Sequence, residues 1–155
     1  MAGNRSLSEI LEVIKSDQFR VEVEELRQIL KDGNEKEYSN KKKSLLAFTP
    51  SGRFAGGRKP EFLKEYSGII VLDIDKSNER TEKIKDLICT CPYSLACFIS
   101  PGGNGLKVFV KTETTVEKHT EAFNKIKKYY EGLIQFSVDP SGKDVTRLCF
   151  FSYDK

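Results

Sequence analysis

The chain has 155 residues, 38% hydrophobic and 32% charged, a balance that fits one globular domain and excludes disordered, collagen-like and coiled-coil sequence. Its longest apolar run, Gly68-Ile69-Ile70-Val71-Leu72, falls far short of the roughly 18 residues a membrane span needs, and Met1-Ala2-Gly3-Asn4-Arg5-Ser6 offers no apolar secretion signal. The net charge of +3 hides an asymmetry: residues 1–35 carry 5 basic and 8 acidic side chains, residues 36–64 carry 8 basic against Glu37 and Glu61, and residues 65–155 carry 13 of each. A cytoplasmic protein without a membrane partner is expected. Cys89, Cys91, Cys97 and Cys149 sit in apolar surroundings that read as buried, reduced strand or helix edges.

Ser6 with Glu9 three residues on forms a capping box opening a helix that runs to about residue 15. Val21, Leu26, Ile29 and Leu30 mark a second amphipathic helix, ended by Gly33-Asn34. Residues 45–49 read as a short strand turned by Pro50-Ser51-Gly52. Ile69–Leu72 is apolar on both faces and is expected to be a central strand. A crossover helix over 79–88 follows, and strands 95–99 and 106–110 form a hairpin around Pro101-Gly102-Gly103-Asn104-Gly105. Residues 116–133 give the longest helix, with Phe123, Ile126, Tyr130 and Leu133 on one face. Leu148–Phe151 is the last strand. The order β-α-β-β-α-β after residue 66 predicts an α+β fold with an antiparallel or mixed sheet. Its core is a split βαβ unit of the ferredoxin-like or RNA-recognition-motif-like kind. A helical extension (1–44) precedes that core (45–155) in a single domain.

Four features carry potential chemistry. Asp73-Ile74-Asp75 leaves the apolar strand with both carboxylates on one face, where a hard divalent ion, Mg²⁺ or Mn²⁺, would relieve their repulsion; a turn-capping pair is the plainer alternative. Ser100 to Lys107 encloses Gly102, Gly103 and Gly105, which free backbone amides for a phosphate with Lys107 adding charge, or simply make a good hairpin turn. Asp139, Asp144 and Arg147 precede the last strand, and Arg147 is suited to grip a phosphate or to pair with an acid. Arg53, Arg58 and Lys59 lie among glycines in the basic block, a surface for phosphates or only a solvated loop. His119, the single histidine, has no nucleophile partner that would make a triad, and Cys89-Thr90-Cys91 lacks the second pair a zinc site needs.

Together Gly68–Asp75, Ser100–Val110 and Asp139–Asp154 resemble the VirE N-terminal domain family of bacterial mobile-element proteins. Residues 47–54, Ala-Phe-Thr-Pro-Ser-Gly-Arg-Phe, look like the same family, so the resemblance spans about residues 45–154. It implies the front domain of a longer protein, ahead of a helicase-like or primase-associated region. More remotely the pattern is similar to the archaeo-eukaryotic primase-polymerase superfamily, which implies Asp73, Asp75 and either Asp139 or Asp144 as metal ligands. It places Ser100 and Lys107 near the hairpin motif, with Lys107 as a catalytic cation, beside which the residues' own chemistry puts Gly103, Lys107 and Arg147 at the nucleotide. The superfamily's hairpin histidine is absent here, and Lys107 brings charge without its hydrogen-bond geometry. The expectation is a primase-polymerase-like domain that binds nucleotide and DNA and performs metal-dependent nucleotidyl transfer. The rivals are a non-catalytic nucleic-acid-binding module using the same cleft and, behind it, a haloacid-dehalogenase-type phosphatase opening on Asp73-x-Asp75-x-Ser77.

Overall fold

The computed structural model describes residues 4–155. Ser6 accepts the Glu9 amide while Glu9 accepts the Ser6 amide, the expected capping box, and α1 follows over Leu7–Lys15. Helix α2 spans Arg20–Lys31. A third helix, α3 (Glu35–Lys42), has no apolar face to announce it in sequence. It starts where the Asn34 side chain accepts the Glu37 amide, and acids in its first turn with lysines in its last suit the helix dipole. Two short strands, β1 (Ala47–Phe48) and β2 (Gly52–Phe54), precede β3 (Leu63–Tyr66). Strands β2 and β3 pair as a hairpin, and Gly56, Gly57, Arg58 and Lys59 of the basic block lie in the stretch that joins them.

The main sheet contains β4 (Ile69–Ile74), β5 (Ser94–Ile99) and β6 (Leu106–Lys111), all antiparallel, in the order β4-β6-β5. Helix α4 (Thr81–Cys89) crosses between β4 and β5, so β6 is inserted between the two strands of a βαβ unit, the split arrangement expected. Helix α5 (His119–Ile134) returns over the same face, burying Phe123, Tyr130 and Ile134 against Ile70, Leu72, Ile74, Val108 and Val110. Each such side chain is worth about 1.5–3 kcal/mol in removal from water.

Two expectations are corrected. Ile69–Ile74 is an edge strand, and the central one is β6. Every residue of β4 is nonetheless buried, because Ile69 and Val71 face a second layer of α1 and aromatics, including Ile10, Ile14, Phe109 and Phe151. The last strand, β7 (Cys149–Phe150), does not complete the sheet but pairs with β1. The free edge of β4 is covered instead by two segments: before β7, the Asp139 amide donates to the Asp73 carbonyl at 2.8 Å, and between β1 and β2, Ser51 Oγ donates to the Ile69 carbonyl at 2.8 Å. Gly142 lies so close that a Cβ there would come within 2.6 Å of Phe123 and nearer still to the Val71 carbonyl. Cys91 and Cys149 are buried and Cys97 half-buried as expected, whereas Cys89 is exposed. Burial pushes the Cys97 and Cys149 thiols up to about 12. Among the described residues, no helix is long and apolar enough to cross a membrane.

Candidate functional site

Strand register decides the site. Asp73 stands directly opposite Lys107 across the β4–β6 ladder, and alternation points both to the α1 side of the sheet. Asp73 is fully buried and Lys107 is 8% exposed. An isolated carboxylate there would be prohibitively costly, and two cations remove that cost. Lys107 Nζ lies 2.5 Å from Asp73 Oδ1, off the hydrogen-bonding direction and so a charge contact. Arg147 donates from Nη2 at 2.5 Å and from Nε at 3.1 Å to Oδ2. Burial works against the Arg147 guanidinium, but Asp73, reinforced by Asp139 and Asp75, holds its pKa above the ordinary value.

Over this ion triplet opens a cleft of about 270 Å³ lined by Lys42, Arg58, Lys107, Ser141, Asp144, Arg147, Leu148 and Phe150. Lys42, at the end of α3, lies 5.6 Å from the centres of the Phe150 and Tyr38 rings. Burial, with Lys107 adding repulsion, lowers its pKa, opposed in part by Asp75 and Asp73. Arg58 is fixed by donating from Nη1 to the Thr146 carbonyl at 2.8 Å. Among the described residues no carboxylate lies within ion-pair distance of Lys42 or Arg58. The Ser141 Oγ is shut off from solvent with no hydrogen-bond partner among the same residues. Four cationic side chains therefore converge on one small space with donors to spare, which is the chemistry of an anion site.

The expected residues sort unevenly onto this geometry. Asp73, Lys107, Arg147, Arg58 and Asp144 meet at the cleft. Arg53 and Lys59 instead pair at the surface with Glu65 and Glu61. Ser100 and Gly103 lie in the β5–β6 turn outside the cleft lining, where Gly103 packs on the Arg27 side chain. That turn serves the fold, because the Asn104 carbonyl accepts from the Ser77 and Asn78 amides. It thereby pins the strained bend after β4, where Lys76 and Asn78 have φ of 55° and 47°.

The four carboxylates expected to hold Mg²⁺ or Mn²⁺ do not fit such an ion as a set. Asp73 spends both oxygens on Lys107 and Arg147, and Asp75 is exposed beyond the strand end. Asp139 accepts the Ser141 amide to start its own turn, and Asp144 accepts from the Thr146 amide and hydroxyl. Among the described residues no group of three or more His, Cys, Asp or Glu side chains is placed to bind a metal. Lys42 is the site residue that motif reading passed over. Its place within the basic block of residues 36–64 was the available signal.

A family model described as BT4734-like, N-terminal domain, matches residues 40–155, a span that contains every residue lining the cleft. Neither the curated proteins nor the solved structures give a match.

Proposed function

The chain belongs to the BT4734-like N-terminal domain family, the VirE N-terminal-like group its motifs resemble, and from that footing we propose that it is a nucleic-acid-binding module. Its cleft grips the phosphates of a single strand or nucleotide, without performing catalysis. The observation that carries the reading is the Asp73–Lys107–Arg147 triplet: one buried acid holds two cations in fixed positions at the floor of a cleft where Lys42 and Arg58 add unpaired charge. Here the strand-end acid orients phosphate-binding cations rather than a metal. Metal-dependent nucleotidyl transfer needs carboxylates free to hold its ions, and among the described residues no group of three or more possible ligands is placed to bind one. Phe150, half-buried at the cleft wall, gives a base a face to stack on. Within a longer mobile-element protein, such a module would hold the strand on which another domain acts.

Fluorescence-anisotropy titration of a labelled single-stranded DNA at several salt concentrations tests this. The pair Lys42→Ala and Arg58→Ala should weaken binding and flatten the salt slope by roughly 0.7 for each phosphate no longer neutralised. Arg53→Ala with Lys59→Ala, which removes only surface pairs, should leave the slope unchanged. An unaltered slope in the first pair, or the larger loss in the second, overturns the assignment.

A further inference from the structure

Four cations gather in the cleft and its floor against Asp73 and Asp144, with Asp139 and Asp75 acting on Arg147 from beside them. A phosphodiester carries a single negative charge, whereas a phosphate monoester approaches −2 near neutral pH, with a second pKa of about 6. The cleft is partly enclosed and its volume of about 270 Å³ lies just under the roughly 300–1,000 Å³ of ordinary ligand pockets. A strand that runs in and out again would need more room than one that ends there. Among the described residues the Ser141 hydroxyl is buried without an acceptor, and the Lys42 ammonium and part of the Arg58 guanidinium have no protein partner. A monoester has a third free oxygen to occupy them and a diester does not. Lys42, its pKa lowered by burial, is also the cation that a second negative charge would favour most.

We propose that the cleft is selective for a terminal phosphate monoester, seated among Lys42, Arg58, Ser141 and Arg147, rather than for the internal phosphodiesters of a strand. This rests on the phosphate-binding reading above and narrows it to one chemical group, which is present on a 5′-phosphorylated strand end and on a free nucleoside monophosphate.

The test compares one short single-stranded DNA carrying either a 5′-phosphate or a 5′-hydroxyl, titrated into the full chain. The phosphorylated strand should bind about tenfold tighter, the step expected when a charged group gains about one further hydrogen bond. Ser141→Ala, a small change checked by an unaltered thermal melt, should abolish that preference. Competition with a nucleoside 5′-monophosphate separates the sources. Displacement of the strand assigns the site to the free nucleotide as well, and a preference that resists competition assigns it to strand ends; either result supports the monoester. Equal affinity for the two strands, still lost in Lys42→Met, overturns the selectivity and leaves the binding module standing. Absence of binding by both strands overturns the two readings together.

Discussion

Replacing Asp73 by asparagine keeps the shape of the side chain and removes the charge on which two cations depend. Lys107 is 8% exposed, so without its counter-ion its ammonium is stranded in the core, and breaking a buried pair in this way costs about 3–5 kcal/mol. The side chain of Arg147 is 32% exposed and can turn its charge toward water, so its share is that of a surface pair, about 0–1 kcal/mol. The long apolar stem of Lys107 lets its head group move toward the cleft, which places the total near the lower end, about 3 kcal/mol. For a chain of this size that lowers Tm by about 6–12 °C. Urea and thermal unfolding of the native protein, Asp73→Asn and the doubly neutral Asp73→Asn/Lys107→Met, each with and without Mn²⁺, measure it. The double variant should recover most of the loss, because no unpaired buried charge remains. Asp75→Asn, on an exposed side chain, should stay within about 0.5 kcal/mol of the native protein. An Asp73→Asn protein as stable as the native one, with Mn²⁺ stabilising only the native form, would refute the ion-pair account and return the carboxylate to a metal.

His119 is buried at the start of α5, with Nδ1 2.8 Å from the Tyr66 hydroxyl and Nε2 without a partner among the described residues. Burial holds its folded-state pKa below the ordinary 6.5, against smaller opposing effects from the Gly142 backbone and Asp144. The unfolded chain therefore takes up the proton first, and this contribution to stability, complete above the unfolded value, is lost as pH falls through the folded one. Tm of the native protein should drop between about pH 7 and pH 5 more steeply than Tm of His119→Gln; parallel profiles would show that acids elsewhere dominate. Gly142→Ala should cost about 2–4 kcal/mol by forcing the covering segment away from β4, read as a lowered urea midpoint; an unchanged midpoint would mean that this segment yields freely.

Helix α1, the crossover helix, the β5–β6 hairpin and α5 were legible because each has a strong local signal: a capping box, a 3.6-residue apolar period, or a Gly-Asn-Gly turn. What misled was β4. Two apolar faces report burial by two layers, and here α5 lies on one side and α1 on the other, so the pattern carries no information about lateral place in the sheet. The same limit hid β7, since Leu148–Phe151 reads as a strand whatever it pairs with. At the site, the alternation that placed Asp73 on one face was sound. Its partner depended on the β4–β6 register, which puts Lys107 opposite it, and on an arginine 74 positions away. Lys42 counted in the basic block but nothing singled it out there, because its helix has no apolar period and only the fold brings its end over Phe150.

The segment that supplies Ser141 and Asp144 to the cleft also shields the open edge of β4 through the Asp139 amide and Gly142. An unshielded edge of this apolar strand would be a template for pairing with another chain. One short stretch of backbone thus both walls the proposed binding cleft and guards against aggregation. Substitutions that loosen this wall should therefore lower the soluble fraction on expression by baring the edge of β4.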